Sequence, residues 1–300
     1  MTPSSTLFDG RVVIVVGGGQ GLGRQYCLDL GAAGARVLVA SRSDAALSVA
    51  HEIQAAGGTA HGVAVDARDG DAIIQAALMA FGRIDAMIVN AGITRDRSFA
   101  NMERAEWDEV LDVHLNGAFA CARAAWEPMR RQRGGAILFT TSGAGLHGAF
   151  GQANYAAAKA GIIGLTRTLA VEGERAGIRV NALAPMAGTA MTDGVFSADL
   201  KAGLRVEDVS PFALALIHPE CPASGQVIEA GGGWASAMRW ERSLGLRLET
   251  PDTRTVLSRW SAVMDFGAGS DLPVTTLDCL GAAMGNPRRM RNREREEENV

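Results

Sequence analysis

Lysine is almost missing from this chain of 300 residues: Lys159 and Lys201 stand against 27 arginines, and tyrosine is as scarce, with only Tyr26 and Tyr155. Where arginine supplies every ordinary positive charge, a retained lysine marks a place that needs a compact ammonium. The four cysteines, Cys27, Cys121, Cys221 and Cys279, are widely scattered with no C-x-x-C pair, which excludes a disulfide framework or a zinc site and predicts no bound metal. No apolar run reaches membrane-spanning length, and residues 1–10 have neither the basic start nor the hydrophobic core of a signal peptide. A soluble, cytoplasmic protein is expected. The net charge of -4 comes from 29 basic and 33 acidic residues spread along the chain, so there is no field to attract nucleic acid or an anionic membrane. The expected partners are small molecules or further copies of the chain.

What is present is ample core material, at 47% hydrophobic. Short β-branched runs at 11–16, 36–40, 61–65, 85–89, 136–141, 179–183 and 226–229 alternate with helical patterns, the first two at 22–33 and 45–56. Strands apolar on both faces and separated by helices predict an α/β, Rossmann-type doubly wound parallel sheet of about seven strands, covered by helices on both faces. This domain is expected over 1–234. A C-terminal extension over 235–285, with one or two helices, is expected to dock on the body or on a partner subunit, and the arginine- and glutamate-rich stretch 286–300 to be a solvated tail.

The first strand runs into Gly17-Gly18-Gly19-Gln20-Gly21-Leu22-Gly23 and then a helix. Glycines there let the backbone turn tightly against a pyrophosphate, whose charge meets the free N–H groups of the helix start, so a dinucleotide is the expected cofactor. Gly17, Gln20, Gly21, Leu22 and Gly23 are the candidate contacts. At the end of the second strand stand Ser41 and Arg42. The absence of a carboxylate there and the presence of a permanently charged planar group favour NADP(H), with NAD(H) possible. Asp66 and Ala67 are placed to meet the adenine, and Asn90-Ala91-Gly92 forms a small-residue turn that passes close to a cofactor.

Ser142, Tyr155 and Lys159 carry the strongest chemical signal. Tyr155 and Lys159 are four residues apart in an alanine-rich helical stretch, on one face. A phenol titrates near pH ~10, and a fixed ammonium beside it brings proton transfer within reach of neutral pH.

These motifs resemble the short-chain dehydrogenase/reductase family over roughly 8–234, with its glycine loop, N-A-G turn, and serine with Y-x-x-x-K. The resemblance implies Tyr155 as general acid/base, Lys159 as the group that lowers its pKa and holds the nicotinamide ribose, Ser142 as the group orienting the substrate oxygen, and Pro185 and Gly188 as further cofactor contacts. Stretches such as Arg95-Asp96-Arg97-Ser98-Phe99, Val113-His114-Leu115-Asn116-Gly117 and Arg239-Trp240-Glu241-Arg242 look like the (3R)-hydroxyacyl-CoA dehydrogenase units of type 2 peroxisomal multifunctional enzymes. That likeness implies oxidation and reduction between a secondary alcohol and a ketone at the 3-position of an acyl-CoA. The alternatives are a steroid or another bulky carbonyl, an acyl-carrier-protein thioester reached past Arg95, Arg97 and Arg104, or a cofactor-sensing protein without turnover. With Glu298-Asn299-Val300 as the last residues given, no peroxisomal address is expected.

Three positions depart from the family pattern. Val16 replaces the loop threonine, Ser41-Arg42 replaces the acidic residue of the multifunctional group, and His114 falls where the family has an asparagine. His114 reads either as a packed, backbone-bonded histidine or as a relay group, with Asn116 two residues away. Thr192 to Lys201 is expected to form a lid. Small residues at Ala156, Ala160, Gly161 and Gly164 suit close approach of helices in a homodimer or homotetramer.

Overall fold

The computed structural model describes residues 7–189, 191, 197–267 and 272–273. Two compact units divide the chain after Met238. The first holds an eight-stranded sheet in the order β3-β2-β1-β4-β5-β6-β7-β8. Its strands are β1 (Val12–Val16), β2 (Arg36–Ser41), β3 (Thr59–Ala64), β4 (Ala86–Val89), β5 (Gly135–Thr140), β6 (Ile178–Pro185), β7 (Val227–Gly231) and β8 (Trp234–Met238). Seven run parallel, and β8 returns antiparallel on β7.

β1, with the sequence VVIVV, is buried along its whole length at the centre of the sheet. Side chains alternate across it. Val13 and Val15 enter one hydrophobic cluster with Tyr26 and Leu30, whereas Ile14 and Val16 enter another with Ile73 and Met129. A strand covered on both faces has no polar side, which is why its sequence shows no alternation. The first cluster lies under α1 (Gly21–Ala32), α2 (Ala45–Ala55) and a later helix at Ser210–Ile217. The second lies under α3 (Gly70–Phe81), α5 (Gly117–Gln132) and α7 (Ala153–Gly173). α4 (Arg104–Leu111) starts with a reciprocal cap between Glu103 and Glu106 and continues through a π-helical turn, Asp112–Asn116, into α5. α6 (Gly143–His147), α8 (Ala198–Gly203) and α9 (Ser210–Ile217) complete this unit.

The eighth strand is the difference from the expected seven. Its sequence, WASAM, has no β-branched run. What forms it is the Gly232-Gly233 pair, both at positive φ (56° and 78°), which makes the two-residue hairpin that right-twisted strands favour. The sheet-bearing unit therefore extends through Met238, four residues past the sequence boundary at 234.

In the second unit, the described residues form two short helices, α10 (Thr253–Ser258), capped by Asp252, and α11 (Trp260–Val263). Leu244 N–H donates to Asp265 O at 3.0 Å and closes the segment on itself. The expected tail 286–300 and the first half of the expected lid, 192–196, lie outside the described residues, and 198–201 of that lid fall in α8. No helix among the described residues is long and apolar enough to cross a membrane.

Candidate active site

The strand order reverses between β1 and β4, and the loops leaving their carboxyl ends diverge there, which opens a crevice. It holds a cavity of about 600 Å³. The glycine loop forms one wall. Gly17 and Gly18 N–H groups donate to Ala40 O at 2.8 and 3.0 Å, tying the loop to the end of β2. Gly17 has φ 84°, and a Cβ there would lie 2.5 Å from Ala91 N; a Cβ at Gly23 would collide with the Gly17 carbonyl oxygen. The loop thus packs directly on the Asn90-Ala91 turn, and its glycines allow that approach. α1 begins behind it with no side-chain cap and no acidic residue in its first turn, which leaves its N–H groups for an anion.

Ser41, Arg42, Asp66 and Ala67 line the same cavity. Ser41 Oγ donates to Ser43 O at 2.8 Å, and Arg42 is exposed. Asp66 accepts two bonds at 2.9 Å from the Arg68 guanidinium and a third, also 2.9 Å, from Arg68 N–H. This bond set holds its carboxyl below the usual range, and Arg42 adds to the effect. Asp66 is therefore already committed, and Arg68, which no sequence motif marks, fixes it.

The opposite end of the cavity contains Ser142, Tyr155 and Lys159. Ser142 caps α6, its Oγ accepting from Ala144 N–H at 3.2 Å, and it also bonds to the Tyr155 side chain. Lys159 is 3% exposed; its Nζ donates to Thr140 O at 2.6 Å and lies 5.5 Å from the Tyr155 ring centroid. Burial lowers the Lys159 ammonium from its ordinary value to about 7. Burial also raises the Tyr155 hydroxyl, against the opposing pull of the Ser142 bond. The two groups thus move apart in proton affinity: burial makes the phenol harder to ionise and the ammonium easier to deprotonate.

His114 sits in the π-helical turn, 2% exposed, edge-on to Tyr155 with ring centroids 5.1 Å apart. Its Nε2 lies 2.8 Å from Ile93 O and 3.0 Å from Ile93 N, so it is backbone-bonded. Burial, with Lys159 adding, lowers its pKa to about 3, so the ring is neutral. Nδ1 is buried without a hydrogen-bond partner among the described residues. Gly92 makes the room, since a Cβ there would overlap His114 Cε1.

Asn154 lies in a stretch that resembles the family but had no role assigned to it, yet it fixes the start of α7. Its Nδ2 donates to Arg95 O and Glu106 O, each at 3.1 Å, and its Oδ1 accepts from Tyr155 N–H at 2.7 Å. Gln152 adds a bond to Asp96 at 2.7 Å. Tyr155 is thus held by ties to two other segments as well as by its own helix.

Gly17, Gln20, Gly21, Leu22, Asn90, Ala91, Gly92 and Pro185 line the cavity, but Gly23 and Gly188 do not. Gly23 lies behind the loop against Gly17, and Gly188 N–H donates to Leu204 O. Asn116 is also turned away, donating to Asp112 at 2.6 Å. The expected basic entrance is neutralised: Arg95 pairs with Glu109, Arg97 with Glu106 and Arg104 with Asp108. Each of these partners comes from α4, which faces the loop that carries the first two arginines.

The family model for short chain dehydrogenases matches residues 11–199. The chain is 43% identical over 288 residues to mouse peroxisomal multifunctional enzyme type 2, covering 91% of this chain and 39% of that protein. Among solved structures, it matches full-length peroxisomal multifunctional enzyme type 2 from Drosophila melanogaster with TM-score 0.81 and 35% identity, over 93% of this chain and 49% of that one. A short chain dehydrogenase from Mycobacterium avium matches with TM-score 0.78 and 37% identity, over 87% of this chain and all of that one. The chain spans 32% to 39% of the length of the first two curated relatives it matches.

Proposed function

The chain belongs to the short-chain dehydrogenase family, and from that premise we propose that it interconverts (3R)-3-hydroxyacyl-CoA and 3-oxoacyl-CoA, using NADP(H) ahead of NAD(H). The observation that carries the reading is the Ser142, Tyr155 and Lys159 set, the lysine buried and the other two half-buried, at one end of a cavity whose other end is the glycine loop. The loop fits a pyrophosphate, because its glycines allow the close approach to Ala91 and α1 starts behind it with no side-chain cap on its first N–H groups. When bound, the nicotinamide takes or supplies the hydride.

The remaining chemistry belongs to this chain. Ser142 Oγ holds the substrate oxygen beside Tyr155. Tyr155 Oη takes the hydroxyl proton in oxidation and returns it in reduction. Lys159 offsets the phenolate charge through an ammonium fixed by Thr140 O. The neutral imidazole of His114 packs against the Tyr155 ring and adds no competing charge.

The acyl-CoA assignment rests on the relatives. At the rim, the paired states of Arg95, Arg97 and Arg104 weigh against an acidic carrier protein as the substrate's bearer. Exposed Ala160 and Gly164 on α7 support a homodimer or homotetramer built by close helix approach, and sedimentation at micromolar concentration tests this. The relatives' names carry the word peroxisomal; for this chain the cytoplasm is our reading.

Nicotinamide absorbance with (3R)- and (3S)-3-hydroxyacyl-CoA, each with NADP and with NAD, tests the reading. Turnover of the (3R) substrate, lost in Tyr155→Phe while cofactor still binds, is the expected result. Cofactor binding without turnover of either substrate overturns it.

A further inference from the structure

At the end of the sheet opposite the active-site crevice lies a second cavity, of about 280 Å³, against the amino-terminal edges of β1, β4, β5 and β6. Four guanidinium groups line it, Arg11, Arg83, Arg133 and Arg179, with a single lining carboxylate, Asp85. Four positive charges against one negative leave a formal excess of three in a small space.

Asp85 does not neutralise its surroundings. Its Oδ1 accepts from Arg83 Nη2 at 2.7 Å, and its Oδ2 from Arg83 Nε at 3.0 Å and from Val12 N–H at 2.9 Å. Arg11 forms a longer ion pair with the same carboxylate at 3.6 Å, with its side chain 45% exposed, so one negative charge is shared between two guanidinium groups. Arg179 is fixed by the carbonyls of Leu216, Ala223 and His218 at 3.1, 3.2 and 2.8 Å, which orient its guanidinium without cancelling its charge. Arg133 is exposed, and no side-chain partner is found for it among the described residues. It is also the only non-glycine residue with positive φ among them (53°), at a helix end where glycine is the usual occupant. The chain keeps a long cation at a backbone position that disfavours it.

We infer that this cleft binds a phosphate-class oxyanion, either inorganic phosphate or pyrophosphate free in solution or the phosphate of a phosphorylated small molecule. Guanidinium forks match tetrahedral oxyanions with paired donors, which a chloride ion cannot use, and an excess of charge partly shielded from water strengthens each bond. The bound anion joins the starts of four central strands, so its binding stabilises the fold. The inference does not depend on the dehydrogenase reading, since none of these residues lines the active-site cavity.

Thermal unfolding of the full chain at constant ionic strength, with sodium chloride exchanged for phosphate, pyrophosphate or glycerol phosphate, tests it. The parent gains about 2–4 °C in Tm at saturation. Arg133→Gly removes one cation while giving the left-handed position its preferred residue, so without the anion it melts no lower than the parent, yet it loses most of the anion response. With NAD saturating the cofactor site in every melt, so that anion entry there does not contribute, Arg11→Ala with Arg133→Gly abolishes the response, whereas Arg42→Ala keeps it. A larger response to phosphate or pyrophosphate assigns the free anion; a larger response to the ester assigns a phosphorylated small molecule. The inference is overturned if no response occurs up to about 10 mM of any of the three, if it survives in the double variant, or if Arg42→Ala removes it.

Discussion

Replacing Lys159 by methionine should make the cofactor-free protein more stable and the enzyme nearly inactive. Burial lowers the ammonium from its ordinary value to about 7. The unfolded chain keeps the ordinary value, so between the two it binds a proton that the folded chain has released. The burial penalty is fully present below pH 7, shrinks as pH rises from about 7 toward the ordinary lysine value, and is gone above it. At pH 7 it amounts to roughly 4–5 kcal/mol by the size of the shift. Methionine keeps the linear volume without the charge, but it leaves Thr140 O without its 2.6 Å donor, an unpaired group that costs about 1–3 kcal/mol. The net gain is about 2 kcal/mol, or about 4–8 °C in Tm for a domain of this size. Turnover should fall by roughly 10²–10⁴, the usual contribution of an assisted proton transfer. Circular dichroism melts at pH 7 and pH 9, paired with initial rates, check this. The stability advantage of the variant must be larger at pH 7 than at pH 9. A variant that melts below the parent at both pH values refutes the reasoning, because Lys159 would then be solvated or paired in a way that its burial denies.

Two further substitutions probe the remainder of the site. Arg42→Ala should weaken NADP by about 10- to 100-fold, the loss of charge-assisted bonds to a phosphate, at the lower end because the side chain is exposed, and should leave NAD unchanged; KM values for both cofactors read it, and an equal loss on both removes Arg42 as the selector. Gly92→Ala places a methyl on His114 Cε1, displaces the ring from Ile93 and from Tyr155, and should lower kcat about tenfold or more, as a misplacement near 1 Å does. The same change made together with His114→Ala should recover the part due to the clash; unchanged kcat in Gly92→Ala would show that the position of the ring is irrelevant to Tyr155.

The sheet was legible because burial on both faces leaves uniform β-branched runs such as VVIVV, and the first three runs are each followed by a helix of 11 or 12 residues. β8 was not legible, because its pairing comes from the glycine turn at 232–233 and from the presence of β7 next to it, and WASAM has no propensity of its own to show. The same division holds at the site. Motif residues such as Tyr155 and Lys159 announce themselves by type and spacing. The groups that hold them do not, since Thr140 acts through its carbonyl oxygen and Asn154 through bonds to segments 48 and 59 residues away. A backbone acceptor has no signature in a sequence, and a long-range amide bond looks like any surface asparagine until the fold closes. The loop arginines mislead for a related reason: their charge is visible in the sequence, but the carboxylates of Glu106 and Glu109 that cancel it meet them only after α4 folds alongside.

The scarcity of lysine takes its meaning from this arrangement. Among the described residues, ion pairs other than the His147–Glu229 contact draw on arginine, often with two parallel bonds, as at Arg95 with Glu109, Arg83 with Asp85 and Arg205 with Asp208. Arginine cannot serve at position 159, because its guanidinium stays charged at any physiological pH and its planar head does not fit where one ammonium meets one carbonyl. Burial brings the Lys159 ammonium down to about 7, so this cation can gain or lose its proton near neutral pH, which a guanidinium cannot. The burial that makes Lys159 costly to the fold is therefore the same burial that makes it useful, and a substitution that relieves the fold removes the chemistry with it.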